Sequence, residues 1–475
     1  MKTPILGSSY VTRSPNAADS RCVNLFPEVV PEGGKEAAWL QRAPGLRLLA
    51  TLGSGPVRGL WTFNGKGYAV SGNTLYQIDD TWTATSKGNI AGTGQVTMTD
   101  NGTQMFIAAN LFGYVYDSNT DVLTQLTTDF YGAVGCGFLD GWFVYNQPNS
   151  QIFWVLDSTG TTIDPLYFAS AEGSPDNLVT LIVDHREIWL FGENSVEVWY
   201  DAGLPDFPMS RIQGAFNEIG CLAAYSVAKL DNGLFWLGAD ARGNGIVYRS
   251  KGYSGERVST HAVEWQIQQY QTLSDAVGYT YQQDGHSFYV LNFPTANTTW
   301  VYDVATGAWH ERAGWENDAF TRHRGNCQMN FNNEIVIGDY VSGGIYAYDL
   351  TVYTEAGGIQ KWLRSWRALP TGQNDLNRTT QHSLQLDCQT GVGLDSGVQG
   401  SNPQVMLRWS DDGGHTWSNE HWKSMGKIGQ TGYRTIWRRL GMTLKIRDRV
   451  YEISGTDPVQ IAIMGAELHV SPTNA

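Results

Sequence analysis

The sequence predicts an all-β protein: a β-propeller of six or seven blades with an extended N-terminal arm and a C-terminal β-sandwich-like domain. Three observations point there. The chain combines 54 Gly, 18 Trp, 23 Tyr and 17 Phe with only 16% charged residues, as expected for many short strands joined by tight turns, with aromatics filling the space between sheets. A hairpin unit recurs along its middle. Its 475 residues also exceed what one ordinary core holds, so two domains, or one large propeller with an appendage, are expected.

Residues 1–50 are rich in Pro and Gly and short of periodic pattern, as in NAADSRCVNLFPEVVPEGG and RAPGLRLL. They read as an extended arm, which needs a surface to hold it. Residues 51–360 hold the repeat. Seven units, from LWTFNGKGYAVSGNTLYQI to MNFNNEIVIGDYVSGGIYAYD, each place a polar turn before a strand of alternating large apolar residues. The turns are FNGKG, TDNGTQ, LDGW, VDHRE, LDNG, QQDGH and FNNE, and alternation between short turns fits antiparallel sheet. One such unit cannot bury its own faces, so the units must stack, either radially as blades or linearly as a solenoid. Irregular spacing, with inserts from Phe168 to Leu178 and from Lys251 to Asp275, suits blades better. A set of β-sandwiches with similar hairpins is the competing arrangement. In residues 361–475 a glycine-rich loop, TGVGLDSGVQGSNPQ, is followed by strands near VMLRWS, YRTIWRRLGM, RVYEIS and VQIAIMGAELHV, which read as a separate β-domain.

The net charge of −14 argues against a general nucleic-acid binder, which needs a surplus of Lys and Arg on at least one face. Cys22, Cys136, Cys221, Cys327 and Cys388 are odd in number and widely spread, so they read as buried thiols made in a reducing compartment and not as a disulfide framework or metal site. The start, MKTPILGSSYVTRS, lacks the features of a signal peptide, and no apolar run approaches a membrane span. A soluble protein made in the cytoplasm, without membrane insertion, is expected.

The run RWSDDGGHTW carries the spacing S-x-D-x-G-x-T-W at Ser410, Asp412, Gly414, Thr416 and Trp417, an Asp-box of the kind known from sialidases and other propellers. Its mechanics account for every member: Asp accepts backbone N–H bonds across the turn, Gly allows positive φ, Thr closes the turn and Trp packs beneath the hairpin. That leaves no group over for chemistry. A sialidase would also need three arginines converging on a carboxylate and usually several boxes, whereas here one box lies outside the repeat. Asp79 with Asp80, Asp411 with Asp412, and Glu172 near Asp176 could in principle supply an acid and a base, but read more simply as turn caps. His261, His286, His310 and His323 form no paired ligand spacing. No catalytic, cofactor-binding or metal-ligating residue is therefore expected. One charge feature stands out. Lys423, Lys427, Arg434, Arg438, Arg439, Lys445, Arg447 and Arg449 fall between His421 and Val450 with Asp448 the only acid. They form either a docking face for an acidic neighbour or for DNA, or a solvated sheet face.

Over nearly its whole length the chain resembles the packaged-DNA stabilisation proteins of short-tailed phages, also described as tail accessory, hub or nozzle proteins. The resemblance rests on NAADSRCVNLFPE and the PGL at Pro44 to Leu46. It extends through GLFWLGAD with GYSGERVSTHAVEW, GHSFYVLNFPTANTTWVYDVATGAWHER, RWSDDGGHTW with RTIWRRLGM, and SGTDPVQIAIMGAEL. It implies a virion tail protein, assembled in the host cytoplasm, that forms a homo-oligomeric ring, a hexamer, below the portal and its adaptor ring. Such a ring closes the DNA exit, carries tail fibres or tailspikes, meets a tail needle or plug, and lets DNA pass without sequence-specific binding. No catalytic residue belongs to that picture. A propeller glycosidase or a glycan-binding adhesin of a phage tail is the alternative.

Overall fold

A computed structural model of the chain describes residues 1–473 apart from 15–17, 158–160, 241–242, 374–376 and 445–447. Its architecture begins in the polar turns of the repeat. Six of the seven close a two-residue hairpin in which both central residues have positive φ: Asn64–Gly65, Asp140–Gly141, His185–Arg186, Asp231–Asn232, Asp284–Gly285 and Asn332–Asn333. Such type I′ turns match the right-handed twist of the flanking strands and favour Asn, Asp and Gly. The seventh, after Asp100, is a longer loop in which Asn101 Oδ1 accepts from the N–H groups of Thr103 and Gln104.

Each turn joins the first two strands of an antiparallel blade, and there are seven blades. They run Val57–Asn89, Thr97–Leu126, Cys136–Ser170, Leu178–Asn217, Gly220–Arg257, Val277–Glu316 and Gly325–Asp349. The last has only three strands of its own. Its fourth is Gly45–Thr51, paired antiparallel with Gly344–Asp349, so a strand from the N-terminal segment closes the ring. First strands of successive blades adjoin around the circle, the seventh returning to the first, and between blades four and five the contact runs through Ala224–Ser226 and through Glu187–Gly192 with Gly220–Cys221. An apolar cluster fills every gap between blades: Tyr68 with Tyr116, Phe106 with Phe143, Val144 with Leu190, Phe191 with Trp236, Phe235 with Tyr289, Val290 with Ile337, and Val336 with Leu60. Middle strands are therefore buried on both faces, as in Phe143 to Asn146 and Ile188 to Gly192, where the sequence pattern suggests alternation. Of the two inserts, the first supplies the outer strand Phe168–Ser170 and the second the helix His261–Gln268, whose first turn is capped by Thr260.

The C-terminal domain is a two-sheet sandwich that shares a sheet with the propeller. Beyond the outer strand Ala308–Glu316 of the sixth blade lie Cys22–Val23, then Trp362–Arg367, Val450–Gly455, Gln404–Ser410 and His421–Ser424. The opposing sheet runs Leu25–Val29, Ala38–Arg42, Ala462–Pro472, Thr379–Cys388 and Thr435–Arg438. Between them Leu25, Leu40, Trp362, Trp366, Leu384, Val405, Trp437 and Ile453 form one core. Residues 1–50 thus differ from the expected arm. They are stitched into three sheets because their apolar residues Cys22, Val23, Leu25, Phe26 and Leu40 bury there almost completely.

Candidate functional site

The first strands of all seven blades line a central bore. Residues 58–61, 95–99, 136–138, 180–183, 227–229, 277–280 and 326–328 enclose about 460 Å³. Among the described residues, the basic side chains on its wall are Arg58 and Lys229. Arg58 is buried and spends its guanidinium on the carbonyls of Gly94, Gly72, Ile90 and Ala91, at 2.6–3.3 Å. Over the turns of blades four to seven the bore opens into a polar groove of about 810 Å³ that includes Asp184, His185, Lys229, Asn332 and Glu334. His185 sits between Asp184 Oδ2 at 2.8 Å and Asn232 Oδ1 at 2.7 Å, tying two neighbouring blades together.

Catalytic candidates are absorbed by local structure. Asp79 caps its own turn through the N–H groups of Thr81 and Thr83, both at 2.9 Å. Buried Asp176 accepts from the N–H groups of Asn194 and Ser195 and from the Ser195 hydroxyl, while Glu172 is exposed. His286 pairs with Asp303 at 2.9 Å, which holds its pKa above the usual histidine value. His323 lies against Glu355 and Tyr348, both at 2.7 Å. His310 is fully buried beside Phe26 and Phe288, and burial keeps it neutral by pushing its pKa well below 6.5. Among the described residues no group of three or more His, Cys, Asp or Glu is placed to hold a metal, and no helix is long and apolar enough to cross a membrane. The five cysteines are free thiols, and burial pushes those of Cys22 and Cys221 up to about 11.

The Asp-box turn joins Gln404–Ser410 to His421–Ser424 in the sandwich. Asp412 Oδ1 accepts from the Thr416 N–H at 2.8 Å and the Ser410 hydroxyl at 2.7 Å, while Oδ2 accepts from the Thr416 hydroxyl at 2.6 Å. These bonds, those from Thr416 foremost, hold the Asp412 carboxyl well below the usual range. Gly414, at φ +95°, donates to Ser410 Oγ, and a Cβ there would meet Asp19 Oδ2 at 2.7 Å. Trp417 is only half-buried. Its N–H closes on Gly414 O at 3.1 Å, and its ring carries the Arg408 guanidinium at 4.7 Å in place of a plug beneath the hairpin.

The structure splits the basic cluster. Lys423, Lys427, Arg434, Arg438 and Arg439 are exposed, and none makes an ion pair among the described residues. Arg449 does not belong with them. It is 2% exposed and is held by Asp411 at 2.6 and 2.8 Å and by the carbonyl of Leu440, so it anchors the Asp-box turn from inside. Lys445 and Arg447 lie outside the described residues.

Sequence reasoning misses the junction between the two domains. Arg42, 1% exposed, donates to the carbonyls of Asp457, Val459, Gln360 and Tyr353 and to Gln360 Oε1. Arg364 reaches the carbonyls of Ile5, Ser8 and Arg21. Asn24 bonds Ala313 on the sixth blade and Lys361 before the sandwich. A buried guanidinium with carbonyl partners leaves no charge pattern to find. The only available signal is that the arm holds both apolar residues and arginines.

Comparison with known families resolves the whole architecture. Residues 1–353 match the family model described as bacteriophage P22 Gp10, β-propeller, and residues 362–471 match bacteriophage P22 Gp10, β-sandwich. The chain belongs to the bacteriophage P22 Gp10 family. Gp10 proteins are structural components of the phage tail that stabilise packaged DNA, and this Gp10-family chain is a virion tail protein of that kind. No curated protein sequence matches the chain. Among solved structures, the N-terminal domain of Nup159 aligns at TM-score 0.40 with 11% identity, over 67% of this chain and 97% of that one. A chain of the mitotic checkpoint complex aligns at 0.44 with 11% identity over 68% and 97%. The extracellular domain of the putative one component system BT4673 from B. thetaiotaomicron aligns at 0.43 with 12% identity over 86% and 58%.

Proposed function

We propose that this Gp10-family protein is a ring subunit of the tail hub, or nozzle. In this reading several copies, six in the hexamer implied by the resemblance, surround the DNA exit below the portal and its adaptor ring, retain the packaged genome, and carry tail fibres or tailspikes and a needle or plug. The observation that carries this reading is the size of the bore. A cavity of about 460 Å³ has the dimensions of a small-molecule site, far too small to pass a duplex. In this reading DNA leaving the particle runs between copies and not through one. The chain's −14 charge suits such a wall, because a surface along which DNA slides should not hold its phosphates.

Particles that lack the protein are expected to package DNA and then lose it, seen as empty heads on imaging, and tails extracted from wild-type particles should hold several copies each. Full heads without the protein would overturn the reading. Turnover of a fluorogenic glycoside, or saturable glycan binding by the purified chain, would favour the glycosidase or adhesin alternative.

A further inference from the structure

Charge is not spread evenly over this chain. Residues 362–471 hold 12 of the 32 Lys and Arg and 10 of the 46 Asp and Glu, which leaves 20 against 36 for the rest. Within the propeller the acids concentrate further. From 97 to 217, blades two to four, 15 Asp and Glu face two arginines. Both arginines are committed, Arg186 to Asp140 at 2.7 Å and Arg211 to Glu197 at 3.7 Å.

Exposed apolar side chains occur in both places, as they do elsewhere on the chain. Leu166, Phe168, Leu204 and Phe216 lie on the third and fourth blades among the exposed carboxylates Asp164, Glu172, Asp206 and Glu218. Trp422, Ile428 and Tyr433 lie among the five exposed basic residues of the sandwich. Exposed apolar side chains accompanied by charge of one sign are the composition of a binding surface.

The fold sets these surfaces apart. Strands His421–Ser424 and Thr435–Arg438 are the terminal strands of the two sandwich sheets, joined by Trp437 Nε1 donating to His421 O at 2.7 Å. The first of them lies five strand spacings beyond the sixth blade, roughly 24 Å. In a closed ring of seven, the positions facing the sixth blade are the second and third. The third blade therefore lies across the ring from the sixth and the fourth lies two places from it, and among the described residues no ion pair joins the basic tip to the acids of these two blades.

We infer that the basic tip of the sandwich in one copy docks on the acidic outer rim of blades three and four in the next. Opposite charges steer the pair together and set its register, while the apolar groups supply the desolvated centre. Two different surfaces on one chain make a head-to-tail contact, the type that generates rings when its rotation closes. The inference rests on the ring reading, and names the surface through which the ring forms.

Purified particles treated with a zero-length carbodiimide supply the first test, since a contact between copies yields a cross-linked dimer and a contact within one chain does not. The expected product is a cross-linked dimer whose peptides join Lys423 or Lys427 to an acid between residues 157 and 218. The second test reverses charge. Lys423→Glu, Arg438→Glu and Arg439→Glu together should lower incorporation into tails at least tenfold, with an unchanged melting temperature. Combining them with Asp164→Lys, Glu172→Lys and Asp206→Lys should restore it. Multicopy tails whose cross-links avoid both surfaces, and whose assembly ignores the reversal, would overturn this contact and leave the ring intact. Tails holding a single copy would overturn the ring and the contact together.

Discussion

In the propeller, blades one to six are each a continuous segment of chain, whereas the sandwich draws its strands from both ends, residues 22–42 and 362–472. Blade hairpins close through local turns, and their apolar faces are then covered by neighbours. The sandwich has no such local route. Its core forms only when the N-terminal strands have returned across the whole sequence, and buried Arg42, Arg364 and Asn24 hold them in place through backbone carbonyls. The difference teaches that the propeller is locally encoded and the sandwich is globally closed. It also explains why the arm cannot be judged by its own pattern: many of its partners lie more than 300 residues away.

The sharpest test of this contrast is to remove residues 1–44. The shortened chain keeps the closing strand Gly45–Thr51 but lacks Cys22–Val23, Leu25–Val29 and Ala38–Arg42. Limited proteolysis is expected to degrade residues 362–471 and spare 45–353. A protease-resistant sandwich would break the comparison.

Next in size are two core truncations. Trp236→Ala, between blades four and five, and Trp366→Ala, in the sandwich under Thr3, should each cost about 3–5 kcal/mol in urea unfolding. The shared sheet predicts that both move one cooperative transition. Two separate transitions, each answering to one variant, would show that the domains unfold independently.

Protonation gives a smaller effect with a definite sign. Because burial holds His310 below 6.5, the unfolded chain takes up a proton there that the folded chain refuses. Its contribution is complete above 6.5 and is lost as pH falls. His286 acts the other way: Asp303 raises its pKa, so its contribution is present below 6.5 and is lost as pH rises through the folded value. His310→Phe should therefore flatten the acid limb of a melting-temperature profile, and His286→Phe should flatten the limb above 6.5. An acid limb unchanged by the first variant would exclude His310 as its cause.

The smallest change is expected from Asp412→Ala, which removes three hydrogen bonds from an exposed turn. It should lower the melting temperature slightly and leave particle assembly intact. A loss of tail incorporation would mean that the turn contacts a partner.

Legibility followed the range of the interactions. NG, DG, DN and NN at five of the blade turns announced tight hairpins, because such residues tolerate positive φ at both central positions, whereas His185–Arg186 takes the same turn without that signal. Seven such units announced stacked blades, and S-x-D-x-G-x-T-W announced a self-satisfied turn. The basic run was visible as composition but not as a surface. Arg449 belongs to the interior, since Asp411, adjacent in sequence to the Asp-box carboxylate, is where its guanidinium ends.

What the sequence determined by itself was the all-β class, the repeat and the turn chemistry, since these depend on residues a few positions apart. Tertiary structure alone decided that the arm closes the seventh blade and that it builds the sandwich. Those outcomes depend on pairings across hundreds of residues, where a strand's partner is chosen by the surface it can bury and not by its own pattern.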